Sequence, residues 1–232
     1  MSRPYLDQDW NALDHAYGTA EDVPELLANL NSPDQTTRKN ALHELFGNIW
    51  HQGTVYPATV KAIPQLVALF QSADCADREM VALLLASIAD GEGYYSVHSK
   101  LEKLRPTYEK ILRDRGSSIV EEIARENDYV GAIRGMAIEF MLLIEGYLNS
   151  PEPSVRESIA SAMMRYAAHF PHYESLLAAR VQVEKDEDVR ERIESGLTEI
   201  REEKAQQAAS PNRGPAESPG NSGACGGPPS VS

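Results

Sequence analysis

One short pattern recurs four times in this chain: an acidic residue, three intervening residues, then an arginine. The copies are Asp34/Arg38, Asp74/Arg78, Glu152/Arg156 and Asp186/Arg190. Behind each arginine an apolar residue follows at +3 (Ala41, Val81, Ile159, Ile193) and another at +7 (Leu45, Leu85, Met163, Leu197). Spacings of three, four and seven lie on one face of an α-helix. The chain is therefore expected to hold helices of one repeated kind, each opening with an acid. A unit of this sort stacks on its neighbours to bury its apolar face. The pattern thus predicts an all-α solenoid, an architecture used more for binding than for catalysis.

Aligned on their arginines, the first two copies repeat with a period of 40 residues. Pro24 matches Pro64, Leu26 matches Leu66, Leu30 matches Phe70, and Ser32 matches Ser72. Each unit reads as helix A, a tight turn and helix B. Pro24 and Pro64 are placed in the first turn of helix A, where a missing N–H costs little. Asp34 and Asp74 are expected to cap helix B. An i,i+4 acid–arginine pair adds about 0.2–0.5 kcal/mol to an exposed helix, so the four pairs are expected to be structural. The third copy follows Asn149-Ser150-Pro151-Glu152, an echo of Asn31-Ser32-Pro33-Asp34, and the fourth reads as a terminal cap. A degenerate unit is expected between Arg78 and Arg156, with helix A at 106–115 and helix B at 129–139. Helix B is free to run on through 140–147, because no breaker intervenes. That makes about five helical hairpins over 1–204. The Pro/Gly/Ser-rich stretch 205–232 has too little apolar area to offset its chain entropy and is expected to be a disordered tail.

Lys and Arg number 22 against 35 Asp and Glu, a net charge of −13. Such a surface repels phosphate, which disfavours nucleic acid and anionic membranes and suits a basic protein partner. Cys75 and Cys225 offer no Cys-x-x-Cys pair for a metal, and no apolar stretch reaches the length of a membrane span. The expectation is a reduced cytoplasmic protein without cofactor or metal, a monomer or part of a hetero-complex.

Pro-x-Leu in helix A, an acidic turn and an arginine early in helix B resemble the HEAT-repeat pattern, over about residues 20 to 200. The segments Leu13-Asp14-His15-Ala16-Tyr17-Gly18, Asp22-Val23-Pro24 and His51-Gln52-Gly53-Thr54-Val55-Tyr56 look like those of bacterial HEAT-repeat proteins. The resemblance implies an armadillo-like α–α solenoid whose B helices line a concave protein-binding surface. It also admits enzymes. Deoxyhypusine hydroxylases carry His-Glu pairs on several B helices, but here only His43-Glu44 has that form. HEAT-like DNA glycosylases need a basic groove, whereas each repeated arginine has its own acid nearby. For a HEAT-like bilin lyase, nothing around Cys75 indicates an activated thiolate.

Two inter-unit loops remain as candidate partner-binding sites. The first carries His51, Gln52 and Tyr56; the second, one period later, carries Tyr94, Tyr95 and His98. Tyrosines dominate binding hot spots, so adjacent loops of this kind fit a recognition rim. The bland role for the first loop is hydrogen bonding within the loop itself, and for the second it is packing of the connection that follows. Acid runs around Glu121, Glu122, Glu126 and Asp128, and from Glu184 to Glu194, read as solvated faces able to attract a basic partner. The expected function is a non-enzymatic protein-binding scaffold or adaptor, in one form an immunity-type protein masking a basic partner. The alternative is a HEAT-like enzyme acting on nucleic acid or a small molecule in the concave groove.

Overall fold

The computed structural model describes residues 5–209. They are mostly helical, with two short β-hairpins and no closed sheet. The chain divides into two compact units, Met1–Ala162 and Met163–Ser232. The first opens with a 3-10 turn at Trp10–Ala12 and a hairpin of β1 (Asp14–His15) and β2 (Gly18–Thr19). Helices α1 (Val23–Asn29) and α2 (Gln35–Asn48) follow, then a second hairpin, β3 (Trp50–His51) and β4 (Thr54–Val55). Next come α3 (Pro57–Gln71), α4 (Arg78–Ala89), α5 (Tyr94–His98), α6 (Arg105–Asp114) and α7 (Ile119–Ile144). A 3-10 turn at Glu145–Asn149 leads into α8 (Pro153–Arg165), which runs across the unit boundary.

The periodic core expectation holds at every position. Ala41, Val81, Ile159 and Ile193, and Leu45, Leu85, Met163 and Leu197, are all buried. Each fully buried aliphatic side chain of this size contributes about 1.5–3 kcal/mol. Helices α1 and α2 pack together, as do α3 and α4, which are the two expected hairpins. Helices α6 and α7 occupy the stretch where the degenerate unit was expected; α7 starts at Ile119, well before the expected 129, and runs through Gly131 and Gly135 to Ile144. It packs against α3, α4 and α5, with Phe140 edge-on to Phe70 at 5.4 Å. With α7 packed on α4, Met80 and Leu83 are the exposed residues of this helix.

Three local expectations need correction. Helix α3 begins at Pro57, so Pro64 lies inside it rather than in the first turn, on the exposed side. A proline there lacks the N–H that would bond the preceding turn, and the eight buried residues of the helix compensate by packing. Helix α4 begins at Arg78, so its N-cap is Asp77 and not Asp74. The third concerns the tail: α10 (Glu187–Ala209) continues past the expected boundary at Lys204, and 210–232 lie outside the described residues.

In the second unit α9 (Tyr173–Val181) packs on α10. Tyr173 is fully buried and stacks on Phe170 at 4.9 Å. Lys204 and Arg201 both pair with Glu174, which holds its carboxyl below the ordinary value.

Candidate functional site

Three of the repeated arginines reach back to the backbone of the turn before their helix. Arg38 donates from Nε to Asp77, the N-cap of the next B helix, and from Nη1 to the Ser32 carbonyl at 2.9 Å. Arg78 donates to the carbonyls of Phe70 and Ser72, at 3.0 and 2.6 Å. Arg156 donates to the carbonyls of Ser150 and Pro151. In each case the guanidinium reaches the carbonyl six residues back, in the turn that closes helix A. Carbonyls there have no intrahelical donor, and a forked cation supplies one. Asp34 instead caps α2 by accepting from the Thr37 N–H and hydroxyl, which holds its carboxyl below the ordinary value. Asp74 is exposed.

The same turns share a second bond. The backbone N–H of the acid donates to a side-chain oxygen two residues earlier: Asp34 to Ser32, Asp74 to Ser72, Glu152 to Ser150. In the fourth copy Glu184 takes the serine's place and accepts from Asp186 N–H at 2.9 Å. Asp186 caps α10 through the Val189 N–H, while Arg190 pairs with exposed Glu187. Glu184 itself is buried against Arg180, so it is no solvated acid. The motif thus works as a turn clamp, and Arg38 also helps to lower the Asp34 carboxyl. The serine in register at Ser32, Ser72 and Ser150 was the visible trace of it.

The two candidate loops do meet. Val55 N–H donates to Glu92 O at 2.9 Å and Glu92 N–H to Gly53 O at 3.0 Å, so hairpin β3–β4 is bonded to the residue two before α5. Gln52 and Gly53 turn the hairpin with φ of +50° and +90°, the left-handed pair a two-residue hairpin turn requires. Gln52 is exposed at the tip. His51 is half-buried, its Nδ1 3.3 Å from the Tyr17 hydroxyl, with the rings edge to face. Tyr17 comes from the first hairpin and is 61% exposed.

Tyr56 bonds within its own loop. It is buried, and its hydroxyl donates to Thr54 Oγ1, which in turn donates to His51 O. Burial pushes its phenol up to about 12. Tyr17 and Glu126 act in the same direction.

Beyond Glu92 the second loop is the short helix α5. Tyr94 stacks on His98 at 4.2 Å and stands edge-on to Tyr95 and Tyr108. The Tyr94 and Tyr108 hydroxyls are 3.0 Å apart, and burial with that bond raises the Tyr94 phenol. All four rings are half-buried, so the cluster is packed on one side and open on the other.

What holds α5 is Glu126 of α7. Its carboxylate accepts from Tyr95 N–H, Ser96 N–H and the Ser96 hydroxyl, at 2.6, 2.8 and 2.7 Å. A Cβ on Gly93 would lie 2.2 Å from that carboxylate, so the close approach requires glycine. Glu126 is 4% exposed, which removes it from the solvated acid run. Tyr17, Tyr108, Asp77 and Glu126 were not singled out from sequence for these roles. Their partners lie 14 to 39 residues away, beyond any local pattern.

Other chemistry-bearing groups are tied up. Buried His15 accepts from Tyr17 N–H on Nδ1 and donates from Nε2 to Asp22, so neither nitrogen is free to act as a base. Asp22 also accepts from buried Asn48. Burial raises the Cys75 thiol, leaving it unreactive at neutral pH. A groove of about 300 Å³ between α3 and α7 is lined by apolar side chains with Gln71 and Glu139, the latter its single titratable group. Among the described residues no group of three or more His, Cys, Asp or Glu is placed to hold a metal, and no helix is long and apolar enough to cross a membrane. Compared with known proteins, the chain matches no family model, no curated protein and no solved structure.

Proposed function

We propose that this chain is a HEAT-like α–α solenoid that acts without catalysis as a scaffold or adaptor for a basic protein partner. Masking of a cationic toxin is one specific form. The observation that carries the reading is the bonded junction of hairpin β3–β4 with the segment leading into α5. It sets Tyr17, His51 and Gln52 beside Tyr94, Tyr95, His98 and Tyr108 on a chain with a net charge of −13. Half-buried aromatic side chains on a rigid frame supply contact area at little entropic cost, and the acidic field draws in a basic surface. The recurring turn clamp supports the repeat architecture, since the same local device closes successive helical hairpins.

The test is capture of partners on the immobilised full chain, eluted in a rising salt gradient with mass spectrometry of each fraction. The expected result is one basic protein in stoichiometric amount, released at moderate salt and lost with Tyr17→Ala. Retention of a nucleic acid or metabolite without a protein would overturn the reading in favour of a groove enzyme.

A further inference from the structure

Helix α7 presents an exposed face that is unpartnered among the described residues. Ile138 and Leu142 are each 53% exposed, and Gly131 and Gly135 continue the same line toward the N-terminus. The spacing 131, 135, 138, 142 runs four, three, four, which is the a/d seam of a heptad rather than a random scatter. In that register Arg134 falls at g and Glu139 at e. Both are exposed, and neither has a hydrogen bond or ion pair among the described residues.

The glycines sharpen the point. Each lies inside a long helix, where glycine is the weakest residue after proline. A Cβ at either position would meet nothing within 4 Å. No packing within the chain therefore calls for them. The close approach of another helix does.

We infer that α7 is a self-association surface, and that the chain forms a two-fold dimer in which two α7 helices pack side by side and parallel. In a parallel pair a g residue faces the e residue five positions on in its partner. Arg134 then meets Glu139 of the partner copy, and symmetry makes that contact twice. Ile138 and Leu142 lie against their own counterparts, while Gly131 and Gly135 let the backbones approach. An antiparallel pair would set Arg134 near Arg134 and Glu139 near Glu139, so charge selects the parallel arrangement. The inference departs from the expectation of a monomer or hetero-complex, and it stands independently of the basic partner.

The test uses the full chain with Cys225→Ser, which removes the tail thiol. Sedimentation equilibrium up to on the order of 100 µM should give twice the 25.6 kDa chain mass. Arg134→Glu and Glu139→Arg should each weaken association by about tenfold, and the double swap should restore it. Gly131→Ala with Gly135→Ala should raise the melting temperature yet weaken association, a pairing of signs that a purely structural role does not produce. Under mild oxidation Ile138→Cys should cross-link to itself, while Leu83→Cys on α4 should not. A monomer at every concentration overturns the inference. So does a dimer that the double swap fails to restore, or one in which Ile138→Cys stays uncrosslinked.

Discussion

Helices α1 to α4 and the stretch from α5 to α7 are both helical, yet they are held by different means. In the first region each turn is closed from within: a side-chain oxygen takes the N–H two residues on, and an arginine takes the carbonyl six residues back. In the second, α5 is only five residues long and depends on a carboxylate from α7, 30 residues away. A helix that short does not form alone in water. The contrast teaches that the repeat is a local device, whereas the candidate rim is a tertiary one.

The strongest test of the first region is Leu45→Asp or Leu85→Asp. Burying an unpaired charge at a fully buried position should cost more than about 4 kcal/mol and abolish the cooperative melting transition. Glu126→Ala probes the second region. Two N–H groups of α5 lose their acceptor, so stability should fall by about 2–4 kcal/mol. Hydrogen exchange should rise in 94–99 while α1 and α2 stay protected. Equal loosening of both regions would break the contrast. Arg38→Ala removes the turn clamp and the bond to Asp77, at about 1–3 kcal/mol in chemical denaturation. Arg38→Lys should recover only part, because an ammonium does not fork.

Two smaller effects refine the picture. Gln52→Asn should stabilise by about 0.5 kcal/mol in thermal melts, since asparagine tolerates the left-handed backbone better. Asp34 gives the weakest. Its folded carboxyl titrates below the ordinary 3.8, so its contribution is present above that pH and is lost as pH falls through the folded value. Thr37→Val should shrink the acid-limb loss of stability measured between about pH 4 and pH 2.

The legible part of the fold was the part encoded over short range. The +3 and +7 residues behind each arginine are buried because helical geometry alone puts them on one face. The run-on of α7 past 139 also followed from the absence of a breaker, whereas its start at Ile119 and its regularity through Gly131 and Gly135 did not. The same reasoning placed Pro64 in a first turn, because it aligned on arginines. It did not weigh Pro57, which starts α3 one helical stretch earlier. At the candidate rim, sequence singled out His51, Gln52, Tyr94, Tyr95 and His98, but it left Tyr56 open between its own loop and a partner, and burial with a bond to the Thr54 hydroxyl places it in the loop.

The sequence by itself determined a helical chain of recurring hairpins, an acidic surface and the residues that fill the core, because these follow from periodicity and composition. Only the tertiary structure decided which acids are solvent and which are caps. Glu126 and Glu184 look like their neighbours in the acid runs, and burial beside backbone N–H groups sets them apart. A carboxylate's role depends on which donors surround it: those of Glu184 are its own neighbours in the turn, while those of Glu126 come from α5, some 30 residues away.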